Sequence, residues 1–329
     1  VLYRSFIRRT ERQLFSKPTR FWSFWNKRRN IRSIPPSMSY NGQTSIDTSD
    51  ICNTLANRFA DAFTLPVHNP NTLAEATRNT PSDAIDFIIP TIDEALIART
   101  LNDIKPSTSS GPDNIPAYIL KHCRQSLAPI LAKIFNDSLM RGTYPESWKH
   151  ARMIPIHKKG SRLHASNYRG IVSLCACAKV FELILYNPLL TAVQNYMSPS
   201  QHGFLPRRSS TTNLAEFVGY CFDNMDRGTQ VDAVYIDFRA AFDSISHDIL
   251  LSKLKKLGFL DWHITWLRSY LTGRSYYISI GSHRSHSFTS SSGVPQGSNL
   301  GPLLFLIYIN DLSFVLPPGQ HLMYVDDIL

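Results

Sequence analysis

Two rhythms of apolar residues alternate along the chain. Leu55, Phe59 and Phe63 recur at helical spacing behind Asp50 and predict a helix over about 50–64. Thr91 with Glu94 three residues on has the pattern of a capping box and opens another helix. Further helices are expected at about 117–123, 127–141, 174–186, 209–226, 246–257, 261–272 and 300–312. Gly142, Gly258 and Gly273 close three of them, and Asn187-Pro188 is expected to stop the helix that starts at 174, because proline lacks the N–H and clashes with the preceding turn. The second rhythm is that of strands. Ala151–Ile156, Val231–Phe238 and His321–Val325 are β-branched or aromatic runs. Two more, at about 275–281 and 284–290, meet at Gly281-Ser282. Residues 31–50, around Pro35-Pro36, have linker composition, and 66–90, with four prolines, reads as irregular. No internal repeat is found. Strands and helices alternate without strict βαβ order, so the expected class is α+β.

Composition narrows the class. The 329 residues are 43% hydrophobic and 18% charged, which excludes a disordered chain and a coiled coil. The longest uninterrupted apolar run, Leu303–Ile309, has seven residues against the roughly 18–20 of a bilayer crossing, so no membrane is expected among the partners. The start, Val1-Leu-Tyr-Arg, has no signal-peptide core, and an intracellular setting is expected. Five cysteines without a CxxC pair suit neither zinc nor a disulfide framework.

The net charge of +10 is uneven. Residues 1–36 hold ten Lys/Arg and one acid, and residues 149–208 hold nine Lys/Arg with only Glu182 against them. Acidic stretches lie between and after these blocks, a distribution that suits two polyanion contacts. In the first block Phe21, Trp22, Phe24 and Trp25 stand between Arg20 and Lys27-Arg28-Arg29. Cations neutralise phosphates while aromatic faces stack on bases. The bland alternative is a basic linker.

The candidate chemistry is carried by carboxylates. Asp237 ends one apolar strand, and Asp326-Asp327 end another. If those strands are neighbours, three carboxylates converge at one edge and raise one another's pKa. A divalent cation relieves the repulsion, and hard oxygen donors suit Mg²⁺. The alternative is that strand-end aspartates cap a following turn or helix, which weighs more for Asp237 alone than for Asp326-Asp327.

Seven segments occur in an order that resembles the motifs of reverse transcriptases of the non-LTR (LINE-type, jockey-like) retrotransposon branch. They are Gly111-Pro-Asp-Asn-Ile-Pro116, Ile154-Pro-Ile-His-Lys-Lys-Gly160, Asn167-Tyr-Arg-Gly-Ile171, Gln201-His-Gly-Phe204 with Arg208-Ser-Ser, Asp237-Phe-Arg-Ala-Ala-Phe-Asp243, Gly293-Val-Pro-Gln-Gly-Ser298 and Tyr324-Val-Asp-Asp327. The resemblance covers about residues 91–329. It implies polymerase fingers over 91–230 and a palm over 231–329, after a basic extension and linker over 1–90, with a palm sheet flanked by helices.

It further implies an RNA-directed DNA polymerase using two Mg²⁺ ions, with Mn²⁺ as a substitute. RNA template, DNA primer and dNTPs would be its partners, and the nucleus its compartment. By this resemblance Asp237, Asp326, Asp327 and the carbonyl of Phe238 would hold metal. Lys158, Arg169, Gln296 and Gly297 would meet the nucleotide, and Phe242 would lie under its sugar as a gate against a 2′-hydroxyl. His202, Arg207 and Arg208 would track the template, with Lys27, Arg28 and Arg29 as further nucleic-acid contacts. Asp243 is expected to cap the helix that follows. Leu329 lies two residues beyond the aspartate pair, so the returning strand of that hairpin and the thumb are expected to be missing. Two rival readings are a copy that only binds nucleic acid, and an RNA-dependent RNA polymerase or intron maturase.

Overall fold

The computed structural model describes residues 34–63, 70–82, 85–316 and 321–329, together with three separate positions nearer the N-terminus. The basic and aromatic stretch with Lys27, Arg28 and Arg29 lies outside the described residues. The chain opens with a hairpin, β1 (Met38–Tyr40) and β2 (Gln43–Ser45), inside the segment read as linker. Its turn is Asn41-Gly42, both at positive φ, the dipeptide that suits a two-residue hairpin.

Helix α1 (Thr48–Ala60) follows, capped by the Asp47 carboxylate, which accepts from Ser49 N at 2.8 Å. A short helix α2 (Pro70–Ala76) interrupts the region expected to be irregular. Helix α3 (Glu94–Asp103) does not use the Thr91 box. Asp93 caps it instead, accepting from Leu96 N at 2.7 Å, because its carboxylate already stands at the cap position. Next come α4 (Ala117–His122), α5 (Arg124–Met140), β3 (His150–His157) and β4 (Tyr168–Ser173).

Helix α6 (Ala176–Val193) runs straight through Pro188. The expected stop is overruled by packing. Val180, Phe181, Ile184, Leu185, Leu189 and Val193 are all buried, and each such side chain contributes about 1.5–3 kcal/mol. Together they outweigh the roughly 3 kcal/mol that an internal proline costs. At 18 residues α6 is long and apolar enough to cross a membrane by length and composition alone, and eight of its 18 residues are buried against the rest of the fold.

Helix α7 (Ser210–Asp226) starts in a Ser209–Thr212 capping box and buries none of its residues. Leu214, Val218, Phe222 and Met225 recur along it at helical spacing and are exposed. After it, the expected strand over 231–238 shrinks to β5 (Ile236–Asp237), and Val234 and Tyr235 are exposed. A strand extends only as far as its partner offers backbone groups, and here that partner supplies two residues.

Then follow α8 (His247–Lys256), α9 (Asp261–Leu271), β6 (Ser275–Ile280), β7 (His283–Arg284) and β8 (Phe288–Thr289), so the run expected at 284–290 is split in two. Helix α10 (Leu300–Ile309) leads through a 3₁₀ turn toward β9 (Met323–Tyr324) and β10 (Asp327–Ile328). The returning strand expected to be missing is therefore present as β10, two residues long. A hairpin needs only enough backbone to close its rungs, and residues 327–328 suffice.

Among the described residues the larger sheet has the order β4-β3-β6-β7, with β8 on β6; β3 and β6 are parallel, and the other pairs are antiparallel. A second sheet has the order β5-β10-β9. One hydrophobic core runs from Met38 to Val325, with α6 and α10 in contact inside it. This mixed helix-and-sheet architecture agrees with the expected α+β class.

Candidate active site

The site grows from a two-rung ladder. Strand β5 lies antiparallel to β10 with Asp237 opposite Asp327 and Ile236 opposite Ile328. Opposed residues of antiparallel strands project to one face, with Cβ atoms about 4.5–5.5 Å apart. The two carboxylates therefore share a face, while Ile328 and its other partner, Met323, are buried on the opposite one. Val325 and Asp326 form the turn between β9 and β10. Burial raises the Asp326 carboxyl above its ordinary range, and the charges of Asp327 and Asp237 raise it further, while Arg169 pulls it down. Residues far apart in sequence thus act on one another electrostatically.

The donor set fits a hard divalent cation in kind, being three mutually repelling carboxylates. Their side chains are not drawn around one point: among the described residues no group of three or more His, Cys, Asp or Glu is close enough to hold a metal ion. Phe238, whose carbonyl was expected to assist, directly follows β5 and is exposed.

The aspartate turn is held from behind by a residue that the sequence reading did not assign to the site. Val325 has φ +62°, a left-handed conformation that a β-branched residue adopts only under constraint. The buried Gln201 side chain supplies that constraint. Its Oε1 accepts from Val325 N at 2.8 Å and from Gly203 N at 2.8 Å, and its Nε2 donates to the Val325 carbonyl at 3.3 Å. Gly203 must lack a side chain, since a Cβ there would lie 2.4 Å from Val325 Cγ2. The signal was the Gln201-His-Gly-Phe204 segment itself, quoted for its resemblance but not linked to the aspartates.

The segment around Asp237 and the Gly/Pro-rich loop before α10 are joined by backbone and side chain. Gly293 N donates to Ile245 O at 2.8 Å and Val294 N to Phe242 O at 2.9 Å. Gly293, at φ +84°, has no room for a Cβ, which would meet Asp243 Cα at 2.8 Å. Asp243 does not cap the next helix; Ser246 does, accepting from Ile249 N. The Asp243 Oδ1 instead accepts from Gln296 Nε2 at 2.8 Å. Gln296 also accepts Val172 N at its backbone carbonyl, and Gly297, at φ +112°, lets the loop approach Val172 O. Phe242 stacks on Phe305 of α10, with centroids 4.6 Å apart and planes at 16°.

Burial pushes the Asp243 carboxyl up to about 6, against the Gln296 hydrogen bond and the charges of Arg58 and Arg169, which lower it. A carboxylate raised in the folded state contributes stability that is fully present below the ordinary carboxylate range and is lost as pH rises through about 6. The stability of Asp243→Asn relative to the native chain should therefore climb between pH 4 and pH 7. The climb is at most about 3 kcal/mol, some two pKa units. Urea midpoints of both proteins at the two pH values check this, and an unchanged difference would refute the assignment.

Arg169 lies on β4 opposite Ile156, exposed, and its charge reaches both Asp326 and Asp243. Lys158 continues the ladder, its N–H on Asn167 O at 2.8 Å, two residues beyond Ile156 and so on the same face. His202 is buried, its Nδ1 against Thr212 Oγ1 and its Nε2 against Glu216 Oε2, which leaves neither ring nitrogen for a template. Arg208 spends Nη1 on the carbonyls of Ser198, Pro199 and Gln201. Arg207 is exposed.

Residues 156–329 match the family described as "Reverse transcriptase (RNA-dependent DNA polymerase)". The chain is 26% identical over 308 residues to the RNA-directed DNA polymerase from mobile element jockey of Drosophila melanogaster, covering 88% of this chain and 33% of that protein. It is 27% identical over 323 residues to the probable RNA-directed DNA polymerase from transposon BS of the same species, covering 93% and 36%. A 29% identity over 220 residues links it to the probable polymerase from transposon X-element, covering 66% and 24%. The chain spans about a third of the length of the first two relatives. The matched family covers more than half of the chain, including the ladder that pairs Asp237 with Asp327, and on that ground this protein belongs to the reverse transcriptase family.

Proposed function

We propose that the chain carries an RNA-directed DNA polymerase site of the non-LTR retrotransposon type, extending a DNA primer on an RNA template with dNTPs. The observation that carries this is the β5–β10 register, which sets Asp237 and Asp327 on one face beside the Asp326 turn. Asp237, Asp326 and Asp327, with the Phe238 carbonyl, would hold two Mg²⁺ ions, which lower the pKa of the primer 3′-hydroxyl and neutralise departing pyrophosphate. Arg169 and Lys158, on one face of β3–β4, would hold the triphosphate by a guanidinium fork and a mobile ammonium. Gln296 and Gly297 would bring the loop before α10 against the nucleotide. The fingers would lie in 91–230 and the palm in 231–329. Phe242, fixed from one side by Phe305, would exclude a 2′-hydroxyl.

The test is extension of a DNA primer on an RNA template with Mg²⁺, using dNTPs or rNTPs. The native chain should extend with dNTPs, and Phe242→Val should lower its discrimination against rNTPs by about tenfold or more. Equal use of both nucleotides by the native chain would favour an RNA polymerase. The carboxylates that are not gathered around one point favour a second reading, a chain that binds nucleic acid without turnover. Binding of a primer–template duplex with no extension would establish that reading.

A further inference from the structure

The larger sheet has two unlike faces. Ala151 and Met153 of β3, Val172 of β4, and Tyr276 and Ile278 of β6 are buried, and Phe63, just beyond α1, stacks on Tyr276. Side chains alternate along a strand, so the opposite face carries Arg152, Ile154 and Ile156 of β3, Arg169 and Ile171 of β4, and Tyr277 of β6. Register sets Arg152 beside Tyr277, and the Arg284 guanidinium of β7 lies 3.6 Å from the centre of the Tyr277 ring. Arg169 stands opposite Ile156, four residues from Arg152 and so about 13 Å along β3. This face has no acid to answer its three arginines. All five strands come from residues 147–181 and 262–310, and neither stretch contains an Asp or Glu. Among the described residues none of the three arginines is in an ion pair, and Arg152 Nε meets no acceptor. Like charges gathered on one face repel, and a polyanion relieves them. Arg169, whose charge acts on Asp326, ties one end of the face to the aspartate turn.

We infer that this face holds an unpaired RNA strand, which passes Arg169, crosses Ile154 and Ile171, and ends on a distal contact made by Arg152, Tyr277 and Arg284. The inference goes beyond the polymerase reading, since binding here needs no turnover; where that reading holds, the strand is template not yet copied. Arg152 takes a phosphate. Arg284 is exposed and held over Tyr277 by a cation–π contact, and it offers a planar cation on which an unpaired base stacks. The isoleucines between the two ends offer apolar surface to base faces. A stacked strand advances ~3.4 Å per nucleotide, so the face spans about four nucleotides. A duplex keeps its bases stacked on one another and has none to offer Arg284.

The test is binding of a labelled oligoadenylate, roughly twelve nucleotides long against the ~4 that the face spans, followed by fluorescence anisotropy in metal-free buffer without dNTPs. Arg284→Ala should raise its Kd about fivefold or more, the loss of one stacked base. Arg284→Lys keeps the charge and should lose most of the same affinity with the salt dependence unchanged. Arg152→Ala should lower the slope of log Kd against log salt by about 0.7, one phosphate contact. Lys255, an exposed cation of α8 outside this sheet, is the control, and Lys255→Ala should bind as the native chain does. The same strand paired with oligouridine should bind with an affinity indifferent to Arg284→Ala. Losses in Arg284→Ala and Arg152→Ala no larger than in Lys255→Ala would overturn the inference and leave the polymerase reading standing. Native affinity in Arg284→Lys would overturn the stack, and an equal loss on the duplex would replace the unpaired strand by a paired one. Weakened strand binding by Arg284→Ala in a chain that extends no primer would sink the polymerase reading and leave this face its role.

Discussion

Replacing Asp326 by Ala is expected to reduce primer extension by on the order of 10³-fold or more, with no loss of folding stability. A metal ion stabilises a phosphoryl-transfer transition state by several kcal/mol, and each 1.36 kcal/mol is tenfold in rate. Asp326 is the most consequential of the three aspartates by position. It is half-buried in the turn, whereas Asp237 and Asp327 are exposed on strand rungs. Its carboxyl is raised by burial and by its two acidic neighbours, so without a cation its charge is a burden on the fold. The Ala variant should melt no lower than the native chain in a metal-free buffer. Added Mg²⁺ should raise the melting temperature of the native chain and not that of the variant, because a ligand that binds only the folded state stabilises it by mass action. Equal extension by both proteins would exclude turnover at this site. An equal response to Mg²⁺ would place the ion elsewhere.

Glu182→Ala is expected to destabilise the fold by about 2–6 kcal/mol, about 1–3 for each of the two buried donors it leaves without an acceptor. Glu182 is fully buried on α6. Its Oε1 accepts from Tyr270 Oη at 3.0 Å and its Oε2 from Asn299 N at 2.6 Å, at the entrance of α10. Burial raises its carboxyl, opposed by the Asn299 N–H, by the Arg274 charge and by Tyr270. Arg274 is buried too. Its Nε donates to Tyr270 O, and its guanidinium lies over the Tyr270 ring at 4.4 Å. Removing Glu182 takes away a carboxyl whose charge acts on Arg274 and leaves Asn299 N at the entrance of α10 without its acceptor. Glu182→Gln keeps an acceptor and should cost less than the Ala change. Urea midpoints order the three proteins, and a Glu182→Ala midpoint equal to the native one would show the network to be idle. The loop bearing Gln296 ends at this anchor, so loosening in Glu182→Ala should appear there first, as faster amide exchange at 296–300.

Much of the helical content was readable because helices announce themselves locally. The helix expected at 209–226 matches α7 within a residue, and Gly258 and Gly273 mark the ends of α8 and α9 closely. The errors have physical causes. Pro188 was weighed as a local breaker, while the burial that overrides it comes from other elements. The β1–β2 hairpin was missed although Asn41-Gly42 signals it, because the flanking strands are only three residues long. The run at 231–238 has strand composition throughout, but β10 pairs with only two of its residues. The resemblance marks His202 and Arg208 as template contacts, and only the fold adds that the His202 ring nitrogens meet Thr212 and Glu216 and that Arg208 Nη1 meets nearby carbonyls.

By itself the sequence determined the chemistry available here: three aspartates at the ends of apolar runs, glycines where backbones must meet, a basic stretch around Arg169, and the order of motifs that marks a reverse transcriptase. Only the tertiary structure decided which groups constrain which. Gln201 holds the turn before Asp326 across 124 residues of chain, and Asp243 orients Gln296 across 53. A hydrogen bond depends on tenths of an ångström and on which end of an amide points inward, and no spacing along the chain encodes either. Burial, which raises Asp243 and Asp326, is likewise set by what the fold packs around a side chain and not by its neighbours in sequence.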